Sequence, residues 1–188
     1  TRGILLSPTG SGKSLIIYIL LQYYLRVIND KKVLVIVPTT SLVEQMYSDF
    51  IQYGGDKEDI HRIYSGKDKS FEESICVSTW QSIYKMPKDW YDQFGMVIGD
   101  ECHGFKSKSL MNIMNKATEA KYRYGTTGTL DGTQTHELVL QGLFGKTFKV
   151  TTTKKLQDSG TLAELNINRL VLDYSADARR ECEAKDYQ

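Results

Sequence analysis

Cysteine is scarce in this 188-residue chain. Its three cysteines, Cys76, Cys102 and Cys182, are an odd number and form no C-x-x-C pair. That argues against a disulfide scaffold and a structural zinc site, and it fits a reducing, cytoplasmic compartment. Long apolar runs are missing as well. The longest lies around Leu15 to Leu21, far short of the roughly 20 residues that span a bilayer, so no membrane partner is expected. No signal-peptide pattern opens the chain. Neither sign of charge is in excess: 24 basic side chains face 23 acidic ones, for a net charge of +1. This excludes a polycationic nucleic-acid coat and an acidic tail protein. It leaves room for a local basic groove, because net charge reports a sum and not a distribution. Internal repeats and low-complexity stretches are also absent.

What remains is a folded chain of single-domain size, 40% hydrophobic and 25% charged. It begins at Thr1, immediately before an apolar strand pattern, and is expected to be a piece of a longer protein. Gly3-Ile4-Leu5-Leu6 reads as a buried strand ending in a Gly/Ser turn. Lys13 to about Asn29 is apolar nearly all round, which predicts a helix packed inside on a sheet. Val33 to Val37 is continuous and β-branched, as a strand buried on both faces would be. A helical period follows from Thr39 to Phe50, with Leu42, Met46 and Phe50 on one side. Further strands are expected over Ile60–Tyr64, Ile75–Ser78, Met96–Gly99, Tyr122–Thr126 and Phe148–Val150. Another extended run is expected over Leu165–Leu172. Helices are expected at Thr79–Tyr84, Leu110–Ala120 and Thr153–Ser159. Alternating strands and helices imply an α/β domain with a mostly parallel sheet sandwiched by helices. The expected domain covers 1–174, and the charged stretch 175–188 reads as the start of a linker.

Two motifs carry chemistry. Gly10-Ser11-Gly12-Lys13-Ser14, with Thr9 before it, lies between a strand and a helix. Glycines there let backbone N–H groups turn inward around phosphate oxygens, and the helix N-terminus adds partial positive charge. Lys13 would reach the terminal phosphates and the Ser14 hydroxyl would ligate Mg²⁺. The strict G-x-x-x-x-G-K-[ST] pattern fails at its first position, Ser7, and a Gly/Ser turn capping an apolar helix is the plainer alternative. The second motif is Asp100-Glu101-Cys102-His103, delivered by the apolar run Val97-Ile98-Gly99. Asp100 could hold the metal, and Glu101 could orient or deprotonate an attacking water. By itself an acidic pair at a strand end is an ordinary cap. A phosphate loop in the same chain gives it a function.

Polar clusters close five expected strands: Ser7 to Gly12, Pro38-Thr39-Thr40, Thr79-Trp80-Gln81, Asp100-Glu101 and Thr126 to Thr129. In an open parallel sheet, ligands bind outside the carboxyl ends of the strands. A parallel sheet would therefore gather all five on one edge.

Together these segments resemble the first motor domain of a superfamily-two helicase with a DExH box. Ser7 to Ser14 stands for motif I, with Ser where the family often has Ala or Gly. Pro38 to Gln45 matches motif Ia. Thr79-Trp80-Gln81-Ser82 is similar to a later DNA-contact motif, Asp100 to His103 is motif II, and Thr127-Gly128-Thr129 stands where the family has Ser-Ala-Thr. The resemblance implies a RecA-like P-loop NTPase fold that binds ATP and Mg²⁺ and acts on DNA or RNA–DNA hybrids. It implies a second RecA-like domain that completes the ATP site with arginine fingers. Thr39, Gln45, Thr79 and Gln81 would lie along the nucleic-acid backbone, while His103, Thr127 and Thr129 would couple nucleotide state to grip. Trp80 could stack on a base or belong to the core. The expected activity is ATP-driven unwinding or branch migration on branched or recombination intermediates. The alternatives are a double-strand DNA translocase of restriction or remodelling type, a non-catalytic binding scaffold and a small-molecule kinase. His61 and His136 are read as structural or surface residues. Cys102, beside two carboxylates, should have a raised thiol pKa.

Overall fold

The computed structural model describes residues 1–28, 31–129 and 134–163, leaving out the side chains of 106 and 134–136. Seven strands form one sheet: β1 (Arg2–Leu6), β2 (Lys32–Val37), β3 (Ile60–Ile63), β4 (Ile75–Thr79), β5 (Phe94–Asp100), β6 (Tyr122–Thr127) and β7 (Thr147–Lys149). Their spatial order is β3-β4-β2-β5-β6-β1-β7, and every pairing is parallel. The expected mostly parallel α/β sheet is therefore parallel throughout the described residues.

Strand periodicity builds the two layers. Val33, Val35 and Val37 of β2 point to one face, and Leu34 and Ile36 to the other. On the first face lie helices α1 (Lys13–Tyr23) and α2 (Thr40–Gln52), contributing Ile17, Tyr18, Leu21, Val43, Met46 and Phe50. On the second lie α3 (Trp80–Ile83), α4 (Lys88–Tyr91), α5 (Lys108–Lys116) and α6 (Gln134–Phe144). A further helix, α7 (Thr153–Asp158), follows the edge strand β7.

Two expectations about one helix need correction, and two helices match no expected element. The apolar helix after the phosphate loop stops at Tyr23 and continues as a π-helical turn over Tyr24–Ile28. It is also not enclosed. Leu15, Ile19, Tyr23 and Val27, spaced four apart, are 41%, 56%, 61% and 61% exposed. The sheet covers one side of this helix and α2 flanks it, so the opposite stripe faces outward whatever its composition. The two helices without an expected counterpart are α4 and α6. For α6 the signal existed: Leu140, Leu143 and Phe144 follow a helical spacing, and Leu140 and Phe144 are buried. The expected strand over 165–172 and the linker over 175–188 lie outside the described residues, as does Cys182.

Candidate functional site

All seven strands run the same way, so their carboxyl ends share one edge. The five polar clusters meet there. Strand β6 is the organiser: it lies between β1, which carries the phosphate loop, and β5, which carries the carboxylates. Register fixes the match, with Leu6 opposite Thr127 on one side and Asp100 opposite Thr126 on the other. Two cross-links tie the three ends together. Ser7 N–H donates to the Thr127 carbonyl at 2.9 Å, and the Thr126 hydroxyl donates to Asp100 Oδ1 at 2.6 Å.

The phosphate loop leaves β1 at Ser7. Gly10 and Gly12 both have φ in the left-handed region, +76° and +80°, which a side chain would resist. Ser7, the mismatch to the strict pattern, is buried and donates its hydroxyl to Ser11 Oγ at 2.6 Å. A residue that looked like a departure thus braces the loop from within. Helix α1 begins at Lys13 with no side-chain cap on its first turn. Its free N–H groups therefore remain available to an anion.

Opposite stands the acidic turn. Glu101 leaves β5 at φ 48°, ψ 50°, the one positive-φ non-glycine among the described residues. A left-handed conformation at such a residue costs about 1–2 kcal/mol. This turn, not strand alternation, separates the two carboxylates. Asp100 stays buried, bonded to Thr126, while Glu101 swings out to within 3.6 Å of Lys13 Nζ. Burial pushes the Asp100 carboxyl above its ordinary range, the Thr126 hydrogen bond opposes this, and the neighbouring Glu101 charge adds to it.

Between loop and turn lies a cleft of about 440 Å³ lined by Thr9, Gly10, Lys13, Ser14, Asp100 and Glu101 from the strand ends. Helix α2 supplies its remaining wall with Leu42, Gln45, Met46 and Asp49. The donor set fits a magnesium–phosphate group. Ser14 and Asp100 are hard oxygen donors lining one cleft, and the buried Asp100 charge is held at a cost that a cation would offset. No cluster of three or more His, Cys, Asp or Glu among the described residues could hold a metal alone. Two protein oxygens suit Mg²⁺, which keeps the rest of its shell for phosphate and water.

The three residues expected to couple nucleotide state to grip converge behind Glu101. His103 Nδ1 lies 3.0 Å from Thr127 Oγ1 and 3.3 Å from Glu101 Oε2. Thr127 Oγ1 is in turn 2.8 Å from the Thr129 carbonyl. Thr127 is fully buried, and Thr129 joins through its backbone. Gly128, where the resembling family has Ala, would place an added Cβ 3.6 Å from Lys13 Nζ and 3.7 Å from both the Ser7 carbonyl and the Thr9 nitrogen. These are ordinary contacts.

The four expected nucleic-acid residues divide. Thr39, Thr79 and Gln81 line one hollow of about 370 Å³ with Pro38, Thr40, Ser65 and Ser82. Within it Thr39 Oγ1 caps α2, the Thr79 hydroxyl pairs with Ser82 Oγ at 2.8 Å, and the Gln81 amide donates to the Pro38 carbonyl. Gln45 instead lines the cleft between loop and turn. Trp80 packs edge-on against Tyr84 at 6.1 Å and against the core. It also lines a separate cavity of about 340 Å³ with Asp100, Glu101 and His103. The reading of His61 as structural holds: its ring stacks on Phe71 at 4.9 Å and bridges Glu73 Oε1 and the Asp68 carbonyl. His136 lies outside the described side chains. Cys102 is buried, its thiol pushed up to about 12 by burial first and then by Glu101 and Asp100.

Sequence reasoning missed two neighbours of the loop. Tyr53, at the end of α2, sets its hydroxyl 3.0 Å from Ser14 Oγ. Leu162, after α7, packs against Gly10 so closely that a Cβ there would lie 2.7 Å from its Cδ2. No local pattern marks either residue, because both contacts join distant parts of the chain.

A parallel sheet, a phosphate loop on one strand and a DExH turn two strands away define a RecA-like α/β domain. The chain belongs to the family described as type III restriction enzyme, res subunit, whose model matches residues 1–132. Over its whole length the chain is 38% identical to the ATP-dependent DNA helicase UvsW of Enterobacteria phage T4, and it spans 38% of that protein. A crystal structure of the UvsW helicase from bacteriophage T4 superposes with a TM-score of 0.72, covering 79% of this chain and 54% of that one. The helicase domain of Hef from Pyrococcus furiosus superposes with a TM-score of 0.67 at 20% identity, covering 81% of this chain and 36% of that one, a likeness of fold.

Proposed function

We propose that this domain is the ATP-binding lobe of an ATP-dependent DNA helicase that acts on branched or recombination intermediates. The observation that carries the reading is the cleft in which Lys13 faces Glu101 at 3.6 Å, with Ser14 and Asp100 lining the same space. The 38% identity to a phage helicase supports the same reading. Lys13 and the N–H groups at the start of α1 hold the phosphates. Ser14 and Asp100 would hold Mg²⁺, which would supply screening of the phosphate charge when bound. Glu101, half-buried on its turn and free of the strand, orients the attacking water and receives its proton. His103 and Thr127 sense Glu101 and pass its position to the hollow of Thr39, Thr79 and Gln81. There hydroxyls, amides and backbone groups meet DNA phosphates without reading sequence. The site of action is the cytoplasm of the cell in which the protein is made, and RNA–DNA hybrids belong to the same substrate range.

Completion of the site falls to a second RecA-like domain. An arginine finger is worth about 10³–10⁵ in rate, so residues 1–188 alone should bind nucleotide weakly and turn it over little. DNA-stimulated ATP hydrolysis in the longer protein tests the reading. Lys13→Ala should abolish it by removing nucleotide binding, and Glu101→Gln should abolish it while nucleotide still binds. Unchanged hydrolysis in Lys13→Ala would refute the phosphate-loop assignment. The family match to a restriction subunit favours one second reading, a double-strand DNA translocase. Strand displacement on forked DNA separates the two, since a pure translocase moves without releasing a strand.

A further inference from the structure

Helix α2 ends near the phosphate loop, and the residue that caps it has a defined place there. Tyr53 caps the helix, its N–H donating to the Asp49 carbonyl at 2.9 Å. The chain then turns back through Gly54, at φ +92°, and Gly55, where a Cβ would lie 2.8 Å from the Phe50 carbonyl oxygen. The Tyr53 ring leans on the Tyr18 ring of α1 at 5.7 Å, and Tyr18 leans on Phe50 at 5.4 Å. Turn and ring contacts together aim the phenol at Ser14 Oγ, 3.0 Å away. Thirty-nine positions separate these two hydroxyls in the chain.

We infer that Tyr53 is a positioning residue for the metal ligand Ser14. This rests on the reading of the cleft as a magnesium–nucleotide site. A serine hydroxyl has one proton and two lone pairs, and it rotates freely unless held. When Tyr53 Oη accepts the Ser14 proton, the lone pairs of Ser14 Oγ are left for a cation and their direction is set. Magnesium demands near-ideal octahedral geometry, so a pre-aimed hydroxyl binds it better than a rotating one. The phenol is suited to this because its ring, 37% exposed, leans on Tyr18 and carries no competing charge.

The test is fluorescence titration of a mant-labelled ADP against the full chain, with Mg²⁺ and with the metal removed by EDTA. Tyr53→Phe keeps the ring on Tyr18 and removes only the hydroxyl, so its melting temperature should match that of the parent. With Mg²⁺, affinity should fall by about three- to tenfold, the usual effect of one lost hydrogen bond. In EDTA it should not change. Ser14→Ala is the reference and should lose the Mg²⁺-dependent part of the affinity. If Tyr53→Phe leaves the Mg²⁺-dependent part intact while Ser14→Ala loses it, the role of Tyr53 is overturned and the metal site stands. Equal weakening of Tyr53→Phe with and without metal also overturns it, because the phenol would then touch nucleotide directly. If Ser14→Ala keeps full Mg²⁺ dependence, the metal-site reading falls and the role of Tyr53 falls with it.

Discussion

His103 Nδ1 stands 3.0 Å from the Thr127 hydroxyl, across the gap between the end of β5 and the end of β6. Glu101 Oε2 is within 3.3 Å of the same imidazole nitrogen. A displacement of Glu101 is therefore felt by His103 and by β6 at once. Thr127→Val keeps the shape of a buried side chain and removes the shared oxygen. We expect nucleotide affinity to be retained and the stimulation of hydrolysis by DNA to fall by about two- to thirtyfold, the range of energetic coupling carried by such contacts. Steady-state hydrolysis with and without DNA checks this. An equal loss in both conditions would place Thr127 in catalysis instead of coupling.

Asp100 holds a carboxyl that burial pushes above its ordinary value of 3.8, with Glu101 adding to the shift and Thr126 opposing it. A raised carboxyl pKa means that folding disfavours the charged form. At neutral pH the ionised side chain therefore lowers stability. Asp100→Asn removes the charge and keeps an oxygen for the Thr126 hydroxyl. Without metal or nucleotide it should melt higher than the parent at pH 7 while losing Mg²⁺-dependent binding. The stability gap should be complete above the folded pKa, shrink as pH falls through it, and vanish below the unfolded value. Melting curves across pH 3–7 read the sign directly.

Gly128 sits where an added methyl group would find contacts at 3.6 and 3.7 Å. Gly128→Ala should be tolerated and should raise stability by about 0.4–1 kcal/mol through the unfolded chain. Hydrolysis in the longer protein should stay near the parent level. Chemical denaturation and a rate measurement suffice to check it.

Cys76 and Cys102 are both buried, and burial raises both thiols, Cys102 to about 12. A thiol that does not ionise near neutral pH is a poor nucleophile. Iodoacetamide at pH 8 should leave both unmodified in the folded protein and label both in denaturant. Site-resolved mass spectrometry separates them from Cys182. Rapid native labelling of Cys102 would mean that the DExH turn opens to solvent.

Much of the site was legible in the sequence because its parts are local. Gly10 to Ser14 makes its own turn, and Asp100-Glu101 ends its own strand. What sequence could not assign was partnership across distance. Gln45 falls within a motif expected to follow nucleic acid, and the fold sets it in the lining of the same cleft as Lys13 and Asp100, a neighbourhood that no local pattern shows. Ser7 read as a departure from a pattern, and only the folded loop gives its hydroxyl a partner in Ser11. The apolar helix after the loop read as enclosed, because composition reports how apolar a face is and not whether anything covers it.

By itself the sequence determined the alternation of strands and helices, the phosphate loop and the acidic turn. Each depends on propensities and hydrogen bonds within a few residues. Only the tertiary structure decided that β6 lies between β1 and β5, that Thr126 meets Asp100, and that Tyr53 reaches Ser14. Those contacts depend on strand order and helix registry, set by the packing of two cores on opposite faces of the sheet, and no short stretch of chain contains both partners.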